Sequence, residues 1–394
     1  MQHATSPALS FQWMVAGLLG DGVGAGARAN GLEPVGVGIV GLGNISGTYL
    51  RNLTDEFADV VRIIGCTDLD SERCDGVAKE YGIRSYADLP ALLADGRVEL
   101  VLNLTTPQSH LEISRAALAA GKHVYSEKPI GIDFSTAQIL LAEAESAGLL
   151  VGCAPDTFLG AGLQTCRRIV DAGIVGDPIA ATVAMVCRGH ESWHPSPAFF
   201  YQQGAGPLLD MGPYYLTALV CLMGPIQRVI GMEQTTFATR TITSEPLSGT
   251  VINVQVPTHI TALLQFATGA TATLLMTFDV WAAQLPHLEI YGTEGTLHGP
   301  DPNTFAGPVL IKRGRDASWE EVPVAERWHV DSRGLGLADL ASAIRQGRPP
   351  RASGALATHV LEVMHGVHVS AETAAAYDMV TTCVRPDPLP KEPE

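Results

Sequence analysis

Positive charge is scarce in this chain. Its 25 Lys and Arg stand against 41 Asp and Glu, a formal net charge of −16. Such a balance argues against nucleic acid or an anionic membrane surface as a partner. Long apolar runs are missing too: FQWMVAGLLG, near the start, has about half the length that a bilayer requires. No Lys or Arg precedes that stretch, so a secretory signal is poorly supported. Cysteine is thinly used, at positions 66, 74, 153, 166, 187, 221 and 383, with no C-x-x-C pair. That usage offers neither a disulfide framework nor a metal knot, and it fits a reducing compartment such as the cytoplasm.

What is present describes a well-packed protein, with 46% hydrophobic and 17% charged residues. At 394 residues the chain is too long for one ordinary core, so two domains are expected. Residues 1–34, which include the Gly- and Ala-rich GDGVGAGARANG, read as a flexible extension. From 35 to 155 short apolar strands alternate with helical stretches, which predicts a doubly wound parallel sheet, the Rossmann arrangement. From 156 to 375 long β-rich runs follow one another, with hairpin signals at ATGAT and GTEGT. An α+β domain with a mostly antiparallel sheet is expected there. Its closing helices, GLADLASAIRQG and ATHVLEVMHGVHVSAETA, should pack back on the first domain, and 376–394 reads as a tail.

The most telling stretch is VGVGIVGLGNISG, residues 35–47. It reads as a buried strand entering a phosphate-cradling turn. Gly41 permits the turn and Gly43 lets backbone N–H groups approach a pyrophosphate, with Asn44 and Ile45 opening the helix behind it. Ser46 occupies the third glycine slot and is small enough for close packing. Asp68 ends the second strand about 25 residues further on, where a carboxylate would bind an adenosine ribose and favour NAD over NADP. Arg73 follows five residues later and complicates that preference. The bland alternative makes Asp68 the cap of the next helix. Thr105, His110 and Glu127 fall near other strand ends, where cofactors bind such sheets.

Three groups could carry chemistry. Lys128 precedes Pro129, which confines it to extended geometry at the cofactor-bearing edge. In GAGPLLDMGPYYLTAL, Asp210 and Tyr214 share a helix face if the helix starts near Asp210, with Pro213 in its first turn. A phenol is a poor base at its ordinary pKa of about 10, so Tyr214 would need the Lys128 cation to accept a proton. In RGHESWHPSPAFFY, Trp193 and His194 suit a sugar ring and its hydroxyls, and Asp156 and Thr157 are further substrate candidates.

Taken in order, GLGNIS, TTPQSH, SEKP, GAGPLLDMGPYY and YGTEGTL make residues 35–375 resemble the Gfo/Idh/MocA family of oxidoreductases. The resemblance implies a Rossmann domain followed by an open-faced antiparallel sheet. It implies NAD(P)-dependent redox chemistry on a sugar, glycoside or cyclitol, and dimers or tetramers formed through the open sheet. By this resemblance Lys128 is the catalytic lysine and Asp210 the substrate-site aspartate, while Tyr214 stands where many members carry histidine. A dehydrogenase in which Tyr214 with Lys128 accepts the hydroxyl proton is the expected function. Its rivals are an enzyme that retains its cofactor through a cycle, giving net epimerisation, glycosidic cleavage or sugar–sugar transfer, and a non-catalytic sensor.

Overall fold

A computed structural model describes residues 33–325 and 327–390. The extension expected at 1–34 lies outside the described residues, apart from Glu33 and Pro34. In the first half the chain runs β1 (Val35–Val40), α1 (Ser46–Asp55), β2 (Val61–Thr67), α2 (Ser71–Tyr81), β3 (Arg84–Ser85), α3 (Leu89–Leu93) and β4 (Leu100–Asn103). It continues through α4 (His110–Ala119), β5 (His123–Ser126), α5 (Phe134–Ala147) and β6 (Val151–Cys153). These six strands form one parallel sheet in the order β3-β2-β1-β4-β5-β6. Every residue of β1 and β4 is buried, because helices cover both faces. The strand order reverses between β1 and β4, so a crevice opens at their carboxyl ends.

The second half adds α6 (Ala161–Asp171), β7 (Pro178–Val186), α7 (Gly206–Met223), β8 (Ile226–Gln234), β9 (Thr239–Thr241), β10 (Val251–Asn253) and β11 (His259–Phe266). There follow β12 (Thr271–Thr277), β13 (Leu288–Gly292), β14 (Gly295–Gly299), β15 (Leu310–Arg313), β16 (Glu320–Glu321), α8 (Leu335–Gln346), α9 (Gly354–Thr373) and β17 (Tyr377–Asp378). A nine-stranded sheet takes the order β16-β15-β14-β13-β7-β12-β11-β8-β17. Only its β7–β12 pair is parallel. Burial alternates along β11 and β12, so one face meets α7 and α9 while no described element covers the other. Ile179, Ile230, Met232 and Leu263 are exposed there. The α8–α9 connection returns to the first domain, where Cys153 N–H donates to Ala352 O.

Two expectations need correction. The helix bearing Asp210 begins at Gly206, with Pro207 in its first turn and Pro213 in its interior. Pro213 removes one helical hydrogen bond, but residues 212–223 are buried, and that packing holds the helix together. The expected tail from 376 is not all tail: Tyr377 and Asp378 pair with Val229 and Arg228, closing the open edge of β8. Among the described residues no helix is long and apolar enough to cross a membrane.

Candidate active site

The glycine turn stands at the carboxyl end of β1 for reasons its atoms make plain. Gly41 has φ +89°, and a Cβ there would lie 2.9 Å from the Leu104 carbonyl. Ser46 Oγ donates to Gly43 O across 2.7 Å, so the hydroxyl in the third slot helps to close the turn. At Gly43 a Cβ would meet nothing within 4 Å. The protein therefore gives no reason for glycine there, whereas the close approach of a ligand does. The backbone N–H groups of Asn44 and Ile45 have no hydrogen-bond partner among the described residues, and they sit at the head of α1. Such a site suits a pyrophosphate.

Asp68 closes the other side of the crevice. Its Oδ2 accepts Leu42 N–H at 2.6 Å, and its Oδ1 accepts Asp70 N–H at 2.8 Å. The capping of α2 belongs to Asp70, which accepts Arg73 N–H, so Asp68 is not spent as a cap. Arg73 lies 3.5 Å from Asp68 and 3.1 Å from Asp70. These residues together fit the adenosine half of a dinucleotide.

Three of the proposed cofactor residues hold the neighbouring loops. Thr105 Oγ1 donates to Asn103 Oδ1 at 2.7 Å. His110 is buried, with Nδ1 2.6 Å from Pro129 O and Nε2 3.0 Å from Thr105 O. Burial lowers its pKa while those two carbonyls oppose the shift. His110 thus ties two loops together at this edge of the crevice. Glu127 accepts the Tyr49 hydroxyl at 2.8 Å and Lys128 N–H at 2.9 Å, fixing the turn that presents Lys128.

The chemistry gathers where that turn meets α7. Lys128 Nζ donates to Asp210 Oδ1 at 2.9 Å and to Asp210 O at 2.5 Å. The same ammonium lies 5.1 Å from the centre of the Tyr214 ring. Burial works to lower the Lys128 pKa, but Asp210, Tyr214 and Glu127 outweigh it and the net shift is upward. Lys128 is therefore a cation at neutral pH. Burial raises the Tyr214 pKa against the pull of Lys128 and Arg333. The phenol keeps its proton at neutral pH.

Asp156, a substrate candidate from the sequence, is engaged by backbone instead. It is buried, and its Oδ2 accepts Gly334 N–H at 2.9 Å and Gly336 N–H at 3.0 Å, joining the end of β6 to the start of α8. Burial pushes its pKa up to about 6. A carboxyl raised in the folded state adds stability at low pH that is lost as pH climbs through about 6. Asp156→Asn keeps an acceptor for both N–H groups and removes the charge. It should melt above wild type at pH 8, by on the order of 3 kcal/mol, and the gap should close towards pH 4. A raised substrate KM with an unchanged melting curve would contradict this structural role.

Trp193 stays exposed in the 188–201 loop, while His194 Nδ1 accepts Ser196 N–H at 3.0 Å. The sequence reading passed over two residues. Arg333, just before α8, interacts with the Tyr214 hydroxyl and donates to Asn303 at 3.0 Å. His190 stacks on Phe200, with ring centres 3.8 Å apart, and feels the charges of Asp210, Glu191 and Lys128. No spacing rule links either of them to α7.

Residues 35–154 match the oxidoreductase family described as an NAD-binding Rossmann fold, and residues 163–298 match the GFO/IDH/MocA C-terminal domain. An inositol 2-dehydrogenase of Salmonella paratyphi B is 28% identical over 145 residues, 36% of this chain and 43% of that protein. The match thus spans less than half of that relative's length. A myo-inositol 2-dehydrogenase of Thermotoga maritima is 21% identical over 319 residues, 81% of this chain and 90% of that protein. Among solved structures, a levoglucosan dehydrogenase in complex with NADH and L-sorbose superposes with a TM-score of 0.75 at 18% identity. It covers 88% of this chain and 99% of that one, a likeness that shows the fold. With both domain matches lying in order on the two sheets described above, the chain belongs to the Gfo/Idh/MocA oxidoreductase family.

Proposed function

We propose that this protein is an NAD-dependent dehydrogenase that oxidises a secondary alcohol of a sugar, glycoside or cyclitol to a ketone. The observation that carries this reading is the meeting of Lys128 and Asp210 beside the crevice that suits a dinucleotide. When bound, the nicotinamide supplies a hydride acceptor. Lys128, held as a cation, hydrogen-bonds the substrate oxygen and lowers the cost of charge developing on it. Asp210 fixes the ammonium and accepts from a neighbouring hydroxyl, and Tyr214 supports the pair from below. Trp193 offers a flat apolar face to the ring. Asp68 favours NAD by accepting from ribose hydroxyls and repelling a 2′-phosphate. The inositol and sugar enzymes among the relatives support this class of substrate. The uncovered sheet face, with Ile230, Met232 and Leu263 exposed, supports self-association.

The test is a panel of free sugars, inositols and glycosides, each with NAD and with NADP, followed by the absorbance of the reduced cofactor. Reduction of NAD by at least one class is expected. No redox change across the panel with either cofactor would overturn the reading.

A further inference from the structure

A dehydrogenase must move a proton as well as a hydride, and the groups around Lys128 differ in their freedom to take one. Lys128 is already charged, Tyr214 keeps its phenol proton, and Asp210 is paired with Lys128. His190 is different. The residue is 8% exposed, and its Nδ1 is a buried polar atom with no hydrogen-bond partner among the described residues. Its Nε2 makes no hydrogen bond among the described residues either. The ring is nonetheless held firmly, face to face with Phe200 at 3.8 Å and edge-on to Phe278 at 4.6 Å. Trp193, the residue best placed for a sugar face, lies 5.3 Å away between ring centres. The His190 backbone N–H is also fixed, donating to the Tyr201 hydroxyl at 3.3 Å. A polar side chain this rigid, with its buried Nδ1 uncommitted, is costly unless a ligand completes it.

We propose that His190 is the proton acceptor of the reaction, the base that receives the substrate hydroxyl proton. The proposal rests on the dehydrogenase reading above. The carbinol carbon gives up its hydrogen with the bonding electron pair, as hydride, to the nicotinamide. The hydroxyl oxygen gives its proton to a ring nitrogen of His190, and the alcohol, two electrons poorer, becomes a ketone. The imidazolium then releases the proton to water. Burial pushes the His190 pKa down to about 4, so the free ring is neutral and ready throughout the neutral range. Asp210 and Glu191 pull the other way and would stabilise the imidazolium once formed, whereas His194 and Lys128 oppose it. Glu191 is itself held by Arg240 at 2.9 Å and by the Tyr201 hydroxyl at 2.5 Å.

The experiment compares His190→Gln and His190→Ala with wild type, using a substrate found in the panel. His190→Gln should lose about 10²–10⁴-fold in kcat, with substrate KM and NAD binding each within about threefold. Added imidazole should restore part of the activity of His190→Ala, which a merely structural role would not allow. Independently of turnover, the His190 ring resonance of the free protein should stay that of a neutral imidazole down to about pH 4. A kcat within tenfold of wild type in His190→Gln, or no rescue by imidazole, overturns the proposal and leaves the dehydrogenase reading standing. A larger loss in Tyr214→Phe than in His190→Gln returns the proton to the phenol and also overturns it. A wild-type protein inactive on the whole panel would instead remove the reading beneath it.

Discussion

Replacing Lys128 with methionine is expected to lower kcat by about 10³-fold or more, with NAD affinity changed by less than about threefold. Methionine keeps most of the side chain's volume and removes only the ammonium. The loss follows from the proposed role of Nζ, which donates to Asp210 Oδ1 at 2.9 Å and would meet the substrate oxygen on its other side. Lys128 is only 15% exposed and Asp210 21%, so the pair works with little screening by water. Asp210 left alone would be a poorly solvated, uncompensated charge, and some stability should go with it. A melting curve measured in parallel separates the two effects, since NAD binding reports that the first domain is intact. Steady-state kinetics with a near-normal kcat would remove Lys128 from the chemistry.

Two neighbouring glycines should respond to the same substitution in opposite ways. In Gly41→Ala the backbone must hold φ +89° with a Cβ pressed 2.9 Å from the Leu104 carbonyl and 3.0 Å from Thr105 N. Neither neighbour is a flexible side-chain end, so a cost of roughly 2–4 kcal/mol in stability is expected. Gly43→Ala meets nothing within 4 Å and should melt like wild type. Its methyl points into space that a pyrophosphate must enter, so NAD affinity should fall tenfold or more, about 1.4 kcal/mol. Calorimetry of melting and of NAD titration on both variants checks the pair. Equal melting losses, or unchanged NAD affinity in Gly43→Ala, would contradict this account of the turn.

Much of this was legible in the sequence because it is written in neighbouring residues. The β1 strand and its turn depend on a continuous apolar run and on Gly41, both visible within VGVGIVGLG. The parallel sheet follows from strand–helix alternation, and Lys128 from its place before Pro129 at a strand end. Other features depend on residues far apart in the chain. The carboxyl of Asp156 looks like a free substrate ligand until the N–H groups of Gly334 and Gly336 arrive at it. The start of α7 was hidden because Gly206, at φ +90°, and Pro207 read as loop. Strand β17 has only two residues and exists because β8 offers an edge. His190 stood in plain view beside Trp193 and His194. Its meaning comes from Phe200 and Phe278, which pack on its ring, and from the charge of Asp210, all from separate elements, and no local pattern announces that.

The most direct measurement is a crystal structure of the protein with NAD and either its substrate or the matching ketone. The pyrophosphate is expected over Gly43, Asn44 and Ile45, and the carbinol carbon about 3–3.5 Å from the nicotinamide C4, its oxygen bonded to Lys128 Nζ. A nicotinamide ring remote from Lys128 and Asp210, or a sugar seated in another crevice, would contradict the assignment.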